Sequence, residues 1–225
     1  RALDILRHVA AQVFEEAPAT HGFRESAVWR HECEGMLRQL IRLVTLDFSE
    51  ANPFRLGERE SSEAHPVAAH LGSAPRRPLA QEQQFSVRID GPAGSIVTSG
   101  VIDRIDLAGD QVVIVDYKSG STPHPTRDMI DGRDYQMMIY VLVSQQILKQ
   151  PVAGGMFWHI GNLEVSGEIA SNDSAIELAR TRLHEQILAA REGFFGVQPT
   201  HGRCFSRCEY GGLCRFERGY THKPI

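Results

Sequence analysis

The sequence predicts an α/β fold in which a mixed central sheet is flanked by helices. Three observations carry that prediction. The hydrophobic period switches between 3.6 and 2 along the chain, in the order helices, three strands, a helix, two strands, a helix. A strongly apolar hairpin, Val101–Lys118, sits in the middle of that order. The 225 residues, 42% of them apolar and 23% charged, suffice for a full core in one domain.

Ala2–Glu16 carries Leu3, Leu6, Val9, Ala10, Val13 and Phe14 on a helical stripe with His8 beside it, and Pro18 to Gly22 should end that helix. Glu25–Phe48 repeats the pattern with Trp29, Cys33, Leu37, Leu40 and Val44. From Ser49 to Ala80 the periodicity fails among Pro53, Pro66, Pro75 and Pro78, which reads as a long connection with a short strand near Phe54–Glu60. Phe85–Ile89 alternates as a strand, and Gly91–Gly94 turns the chain into Ser95–Leu107.

After the hairpin, Ser119–Pro125 is a loop and Asp128–Gln150 a largely buried helix. Val152–Ile160 and Leu163–Ile169 are strands about the Gly161-Asn162 turn. Ala175–Glu192 is an amphipathic helix with Ser174 and Glu177 as a capping box, Asn172 or Asp173 as alternative caps, and Gly193 at its stop. The chain thus reads as one domain: N-terminal helices over 1–48, a connection over 49–81, a core over 82–193 and a cysteine-rich tail over 194–225.

A formal charge of −4 does not announce a nucleic-acid binder, although carboxylates that hold metal would count in that sum. No apolar run approaches a membrane span, and nothing at the start resembles a signal peptide. A cytoplasmic protein, excised from a longer one because it begins Arg-Ala-Leu, is the expectation.

In the hairpin, Gly109 and Asp110 as the central turn residues place Asp103 opposite Asp116, with Lys118 on the same face. Two carboxylates and an ammonium then converge on a patch of Val and Ile. Charges buried there must be paired or hold a metal, so the alternative to a site is a structural ion-pair network. Arg104 and Asp106 fall on the other face, as a supporting ion pair. Glu82 is either a solvated side chain or an accessory acid.

Gly-x-Ile-Asp-Arg-Ile-Asp, then Val-Asp-Tyr-Lys-Ser-Gly, then Tyr-Gln-Met-Met-Ile-Tyr resembles the RecB-type branch of the PD-(D/E)xK nuclease superfamily, found in helicase–nucleases and CRISPR-adaptation exonucleases. The resemblance is specific from Gly100 to Tyr140 and looser from His8 to Phe216. It implies a restriction-endonuclease-like core and hydrolysis of DNA phosphodiesters with Mg²⁺ or Mn²⁺, for which carboxylate oxygens are suited ligands. Asp103, Asp116, the main-chain carbonyl of Tyr117 and His8 would hold the metal. Asp4 stands where the family has a glycine four residues before that histidine. Lys118 would orient or deprotonate the attacking water or stabilise charge, with Gln136 and Tyr140 in support. For His8 the plain alternative is a surface histidine, and for Gln136 and Tyr140 it is packing. The resemblance further implies an exonuclease on single-stranded DNA ends in double-strand-break repair or recombination, with a helicase domain or subunit as partner and no membrane. The alternative is a catalytically silent DNA-binding or assembly module.

Cys204-x3-Cys208-x5-Cys214, among turn formers, suits a metal centre. The same family often carries a [4Fe–4S] cluster on such a triple plus a cysteine before the first helix, which this chain lacks. The fourth ligand would be Cys33, His201 or a residue outside this chain. A His-Cys₃ set suits Zn²⁺ equally. Free or disulfide-linked thiols are the remaining alternative.

Overall fold

The structure, a computed structural model, describes residues 1–47, 49, 67 and 76–196. It has two compact units, residues 1–184 and 185–225. The sheet belongs to the first. Its strands β1 (Arg76–Ile89), β2 (Ile96–Ala108), β3 (Gln111–Lys118), β4 (Val152–His159) and β5 (Val165–Ala170) lie side by side in chain order. All neighbours are antiparallel except β3 and β4. A parallel pair needs a crossover, supplied here by α3 (Thr126–Ile130) and α4 (Gln136–Ile147). Further helices among the described residues are α1 (Ala2–His21), α2 (Ala27–Asp47) and α5 (Ser174–Arg191). Among the described residues no helix is long and apolar enough to cross a membrane.

The hairpin has the register expected from its turn. Gly109 takes a positive φ of 62°, Ala108 pairs with Gln111, and Arg104 pairs with Val115. Asp103 and Asp116 lie immediately beyond the last paired residues, Arg104 and Val115. Val112 to Val115 are fully buried because both faces of β3 are covered, which is why the strand reads as an unbroken apolar run. On one face Ile105, Ile114, Phe157 and Ile169 form a core with Met137, Met138 and Val141 of α4. On the other, Val113, Val115, Met156 and Trp158 cluster with Leu43 of α2.

That second face also carries the Arg104–Asp106 pair, with Nε to Oδ1 at 2.7 Å, as part of a larger network. Asp47, at the end of α2, accepts hydrogen bonds from Arg104 Nη1 at 2.7 Å and Arg76 Nη2 at 2.6 Å, and Arg76 Nε lies 2.8 Å from Asp106. Burial disfavours the Arg104 cation, but its bonds to Asp106 and Asp47 more than offset this and raise its pKa. The network ties the end of α2 to β1 and β2. Removing one partner of such a buried set costs on the order of 3–5 kcal/mol.

Three element boundaries differ from the sequence reading, each for a local reason. β1 begins at Arg76 rather than Phe85, despite Pro78, because it is an edge strand with a register shift between Pro78 and Ala80. α1 continues through Pro18 to His21 and stops at Gly22, whose φ is 71°. Pro18 has no N–H for the Phe14 carbonyl, and the Trp29 indole Nε1 of α2 donates to that oxygen instead, at 3.4 Å. The helix expected over Asp128–Gln150 is broken between Ile130 and Gln136, where Gly132 has φ 75° and Arg133 folds back on Asp128 and Asp131. Of the caps considered for α5, Asp173 is the one used: its Oδ1 accepts the Ala175 N–H at 2.8 Å. The stretch Phe54–Glu60 lies outside the described residues.

Candidate active site

The break ahead of α4 decides the geometry of the site. It starts the helix at Gln136, whose main-chain N–H donates to Asp134 Oδ1 at 3.0 Å, so the Gln136 side chain leaves the first turn toward the end of β3. There it joins Asp116 and Lys118. Lys118 Nζ lies 2.7 Å from Asp116 Oδ2 and donates to Gln136 Oε1 at 2.6 Å. Gln136 Nε2 donates to Asp116 Oδ1 at 2.8 Å and to the Tyr140 hydroxyl at 3.0 Å. The Tyr140 O–H donates to the Val101 carbonyl on β2 at 2.7 Å.

The amide orientation follows from chemistry: an ammonium only donates and a carboxylate only accepts, so Oε1 faces Lys118 and Nε2 faces Asp116. A glutamate could serve Lys118 but would repel Asp116. Gln136→Glu is therefore expected to lower turnover roughly 10- to 100-fold, the scale of one disrupted charged hydrogen bond, in a steady-state nuclease assay.

Asp103 stands inside β2, alongside the end of β3, and its Oδ2 accepts the Tyr117 N–H at 2.9 Å. Asp116 is 2% exposed. Burial pushes its carboxyl above the usual range; the Lys118 bond and charge oppose this, Asp103 adds to it, and His124 opposes it. Tyr140 is also pushed up by burial, against its bond to Gln136. Asp116 Oδ2 faces the Lys118 ammonium and has no other hydrogen-bond donor among the described residues. A buried carboxylate that is short of donors, beside a second carboxylate that raises its pKa, fits a hard divalent cation. Mg²⁺ commonly binds through one or two protein carboxylates, with waters and substrate phosphate completing its shell.

The structure thus gathers Asp103, Asp116, Tyr117, Lys118, Gln136 and Tyr140. It does not bring His8 to them. His8 is on the exposed side of α1, whose main packing partner is α2. Among the described residues no three His, Cys, Asp or Glu side chains are grouped to hold a metal ion. Cys33 is a half-buried free thiol on α2, lining a groove with Phe14, Pro18 and Trp29 of the α1–α2 hairpin. His201, Cys204, Cys208 and Cys214 lie outside the described residues. Glu82 is exposed on β1 with a positive φ of 49°.

The PD-(D/E)XK nuclease superfamily model matches residues 3–215. The chain belongs to the PD-(D/E)XK nuclease superfamily. A search of the curated proteins found no match. In this PD-(D/E)XK chain Asp116-Tyr117-Lys118 reads Asp-x-Lys, and Asp103 of β2 accepts the Tyr117 N–H beside it. Membership carries the coarse function, metal-dependent nuclease activity, with Mg²⁺ or Mn²⁺ as the metals typical of the superfamily.

Sequence reading passed over two residues beside the motif. His124 Nδ1 lies 2.9 Å from Asp134 Oδ2, and its ring packs on Phe157, 4.8 Å between centroids. Lys118 Nζ sits over the same Phe157 ring at 4.7 Å. The available signals were a histidine between two prolines just past Asp-Tyr-Lys, and an aspartate two residues before the glutamine.

Proposed function

We propose that this protein is an exonuclease of the RecB type, acting on single-stranded DNA ends in double-strand-break repair or recombination. The observation that supports it is the closed circuit Asp116–Lys118–Gln136–Tyr140–Val101. This circuit holds the one cationic side chain of the motif against the motif carboxylate. The Asp-Tyr-Lys, Gln-x-x-x-Tyr order that builds the circuit is the part of the sequence that resembles the RecB branch.

Asp103, Asp116 and the Tyr117 main-chain carbonyl would hold a Mg²⁺ or Mn²⁺ ion. When bound, it would supply Lewis acidity toward the phosphate and lower the pKa of water. Lys118 then orients the attacking water and stabilises negative charge gathering on the phosphoryl oxygens. Gln136 keeps the ammonium from collapsing fully onto Asp116 by accepting a hydrogen bond from it at Oε1. Tyr140 locks Gln136 through β2. His8, the further ligand that the resemblance implies, is exposed on α1, which packs on α2. A [4Fe–4S] cluster or Zn²⁺ on Cys204, Cys208 and Cys214, a helicase partner and a cytoplasmic setting complete the reading. These rest on the resemblance alone.

The test uses linear and circular single-stranded DNA with Mg²⁺, with Mn²⁺ and with chelator. Metal-dependent release of short products from the linear strand alone is expected. Cutting of the circle would replace the exonuclease reading by an endonuclease. DNA binding without cleavage in either metal would replace it by the silent module, which the intact Asp103, Asp116, Lys118 and Gln136 argue against.

A further inference from the structure

The loop that follows the catalytic strand is held far more firmly than its turn-rich sequence suggests. Pro123 and Pro125 flank His124 and restrict the backbone on both sides. The His124 main-chain N–H donates to Ser166 Oγ on β5 at 3.0 Å. His159 Nδ1, 2.9 Å from the Gly120 carbonyl, must donate to it. His159 Nε2 therefore accepts the Ser166 O–H at 2.8 Å. Both ends of the loop are thus pinned by one histidine–serine pair. Gly167, with φ 60°, lets β5 approach: a Cβ there would lie 2.6 Å from the Phe157 ring and 2.8 Å from the His124 carbonyl.

All of this converges on the His124 ring. Its face lies on Phe157 and near His159, at 4.8 and 5.9 Å between centroids, and its Nδ1 must donate to the Asp134 carboxylate. The Nε2 edge remains for another partner, on a side chain 36% exposed to solvent. The ring shares Phe157 with the Lys118 ammonium and is close enough to Asp116 for its charge to favour that carboxylate's ionisation. A carboxylate on Nδ1 aims the imidazole and leaves Nε2 as the edge through which it can hand on a proton.

We propose that His124, oriented by Asp134, is the general acid of the cleavage reaction. This rests on the nuclease reading above. As the water oxygen bonds to phosphorus, the bond from phosphorus to the leaving sugar oxygen breaks and its electron pair stays on that oxygen. The His124 Nε2 proton moves to the same oxygen, giving a neutral hydroxyl product and a neutral imidazole. The imidazole regains its proton from solvent, and the proton lost by the attacking water returns to solvent.

The test replaces the leaving sugar oxygen by sulfur, whose thiolate departs without protonation, and compares the wild-type protein with His124→Asn in Mg²⁺ and Mn²⁺. Asparagine can still donate to Asp134 but cannot deliver a proton. General-acid contributions are about 10²- to 10⁴-fold. His124→Asn should slow cleavage of the oxygen substrate on that scale while changing the sulfur substrate less than about threefold. Fast cleavage of the sulfur substrate is also the proof that the variant is folded. Equal slowing of both substrates, or no slowing of either, would overturn the assignment and leave His124 a positioning or structural residue. A wild-type protein that cleaves neither substrate overturns the nuclease reading itself, and this inference with it.

Discussion

Replacing Lys118 by methionine is expected to reduce metal-dependent DNA cleavage by on the order of 10²- to 10³-fold, with the fold retained. Methionine keeps the length and the contact with Phe157 but removes the ammonium. Two losses follow. The charge that forms on the phosphoryl oxygens is no longer met by a fixed cation. Asp116 also loses the largest influence that opposes its burial, leaving His124 against the combined push of desolvation and Asp103. Its carboxyl therefore takes up a proton more readily, and the apparent affinity for divalent metal should fall as well. Single-turnover cleavage across a Mg²⁺ titration separates the two, since saturating metal restores only the second. Activity within about threefold of wild type at saturating metal would remove Lys118 from the chemistry. Lys118→Arg tests the geometry: guanidinium keeps the charge but cannot occupy the same point between Asp116 Oδ2 and Gln136 Oε1.

Glutamine in place of Glu168 is expected to stabilise the protein at pH 8 and to do nothing at acidic pH. Glu168 is 7% exposed on β5, and burial pushes its carboxyl up to about 7 from an ordinary 4.5. The sign follows from linkage. Below about pH 4.5 the group is protonated whether the chain is folded or not, and burial costs nothing extra. As pH rises toward 7 the unfolded chain releases the proton and the folded chain keeps it, so stability falls. Above pH 7 the full difference, about 3 kcal/mol, is lost. An amide of the same shape removes the titration. For a chain of this size that corresponds to a gain of roughly 6–12 °C in Tm at pH 8 and none near pH 4. Thermal melts at the two pH values check it, and a variant shifted equally at both would mean that the effect is packing rather than ionisation.

Much of the site was legible in the amino-acid sequence because its parts obey short-range rules. A two-residue turn fixes the register of a hairpin, and a period of two then places Asp103, Asp116 and Lys118 on one face. Gln136 and Tyr140, four apart, had to share a helical face. Other features were out of reach for equally physical reasons. Pro78 argues locally against a strand and is tolerated only because β1 is an edge, which is a property of the sheet. Pro18 argues locally for a helix stop. It is accommodated by the Trp29 indole, which comes from another helix.

What the sequence determined by itself is the make-up of the candidate site: two carboxylates and an ammonium on one face of a hairpin, with a glutamine and a tyrosine on the following helix. Turn geometry and side-chain periodicity are local, and they need no knowledge of the fold. What only the tertiary structure decided is which histidine stands beside that cluster. Sequence favoured His8, on a helix that packs on α2 instead. The fold delivers His124, through contacts to Asp134, Phe157, His159 and Ser166 that are 10 to 42 residues away. Such contacts follow from the crossover between β3 and β4 and from the close approach that Gly167 permits, and no periodicity along the chain encodes either one.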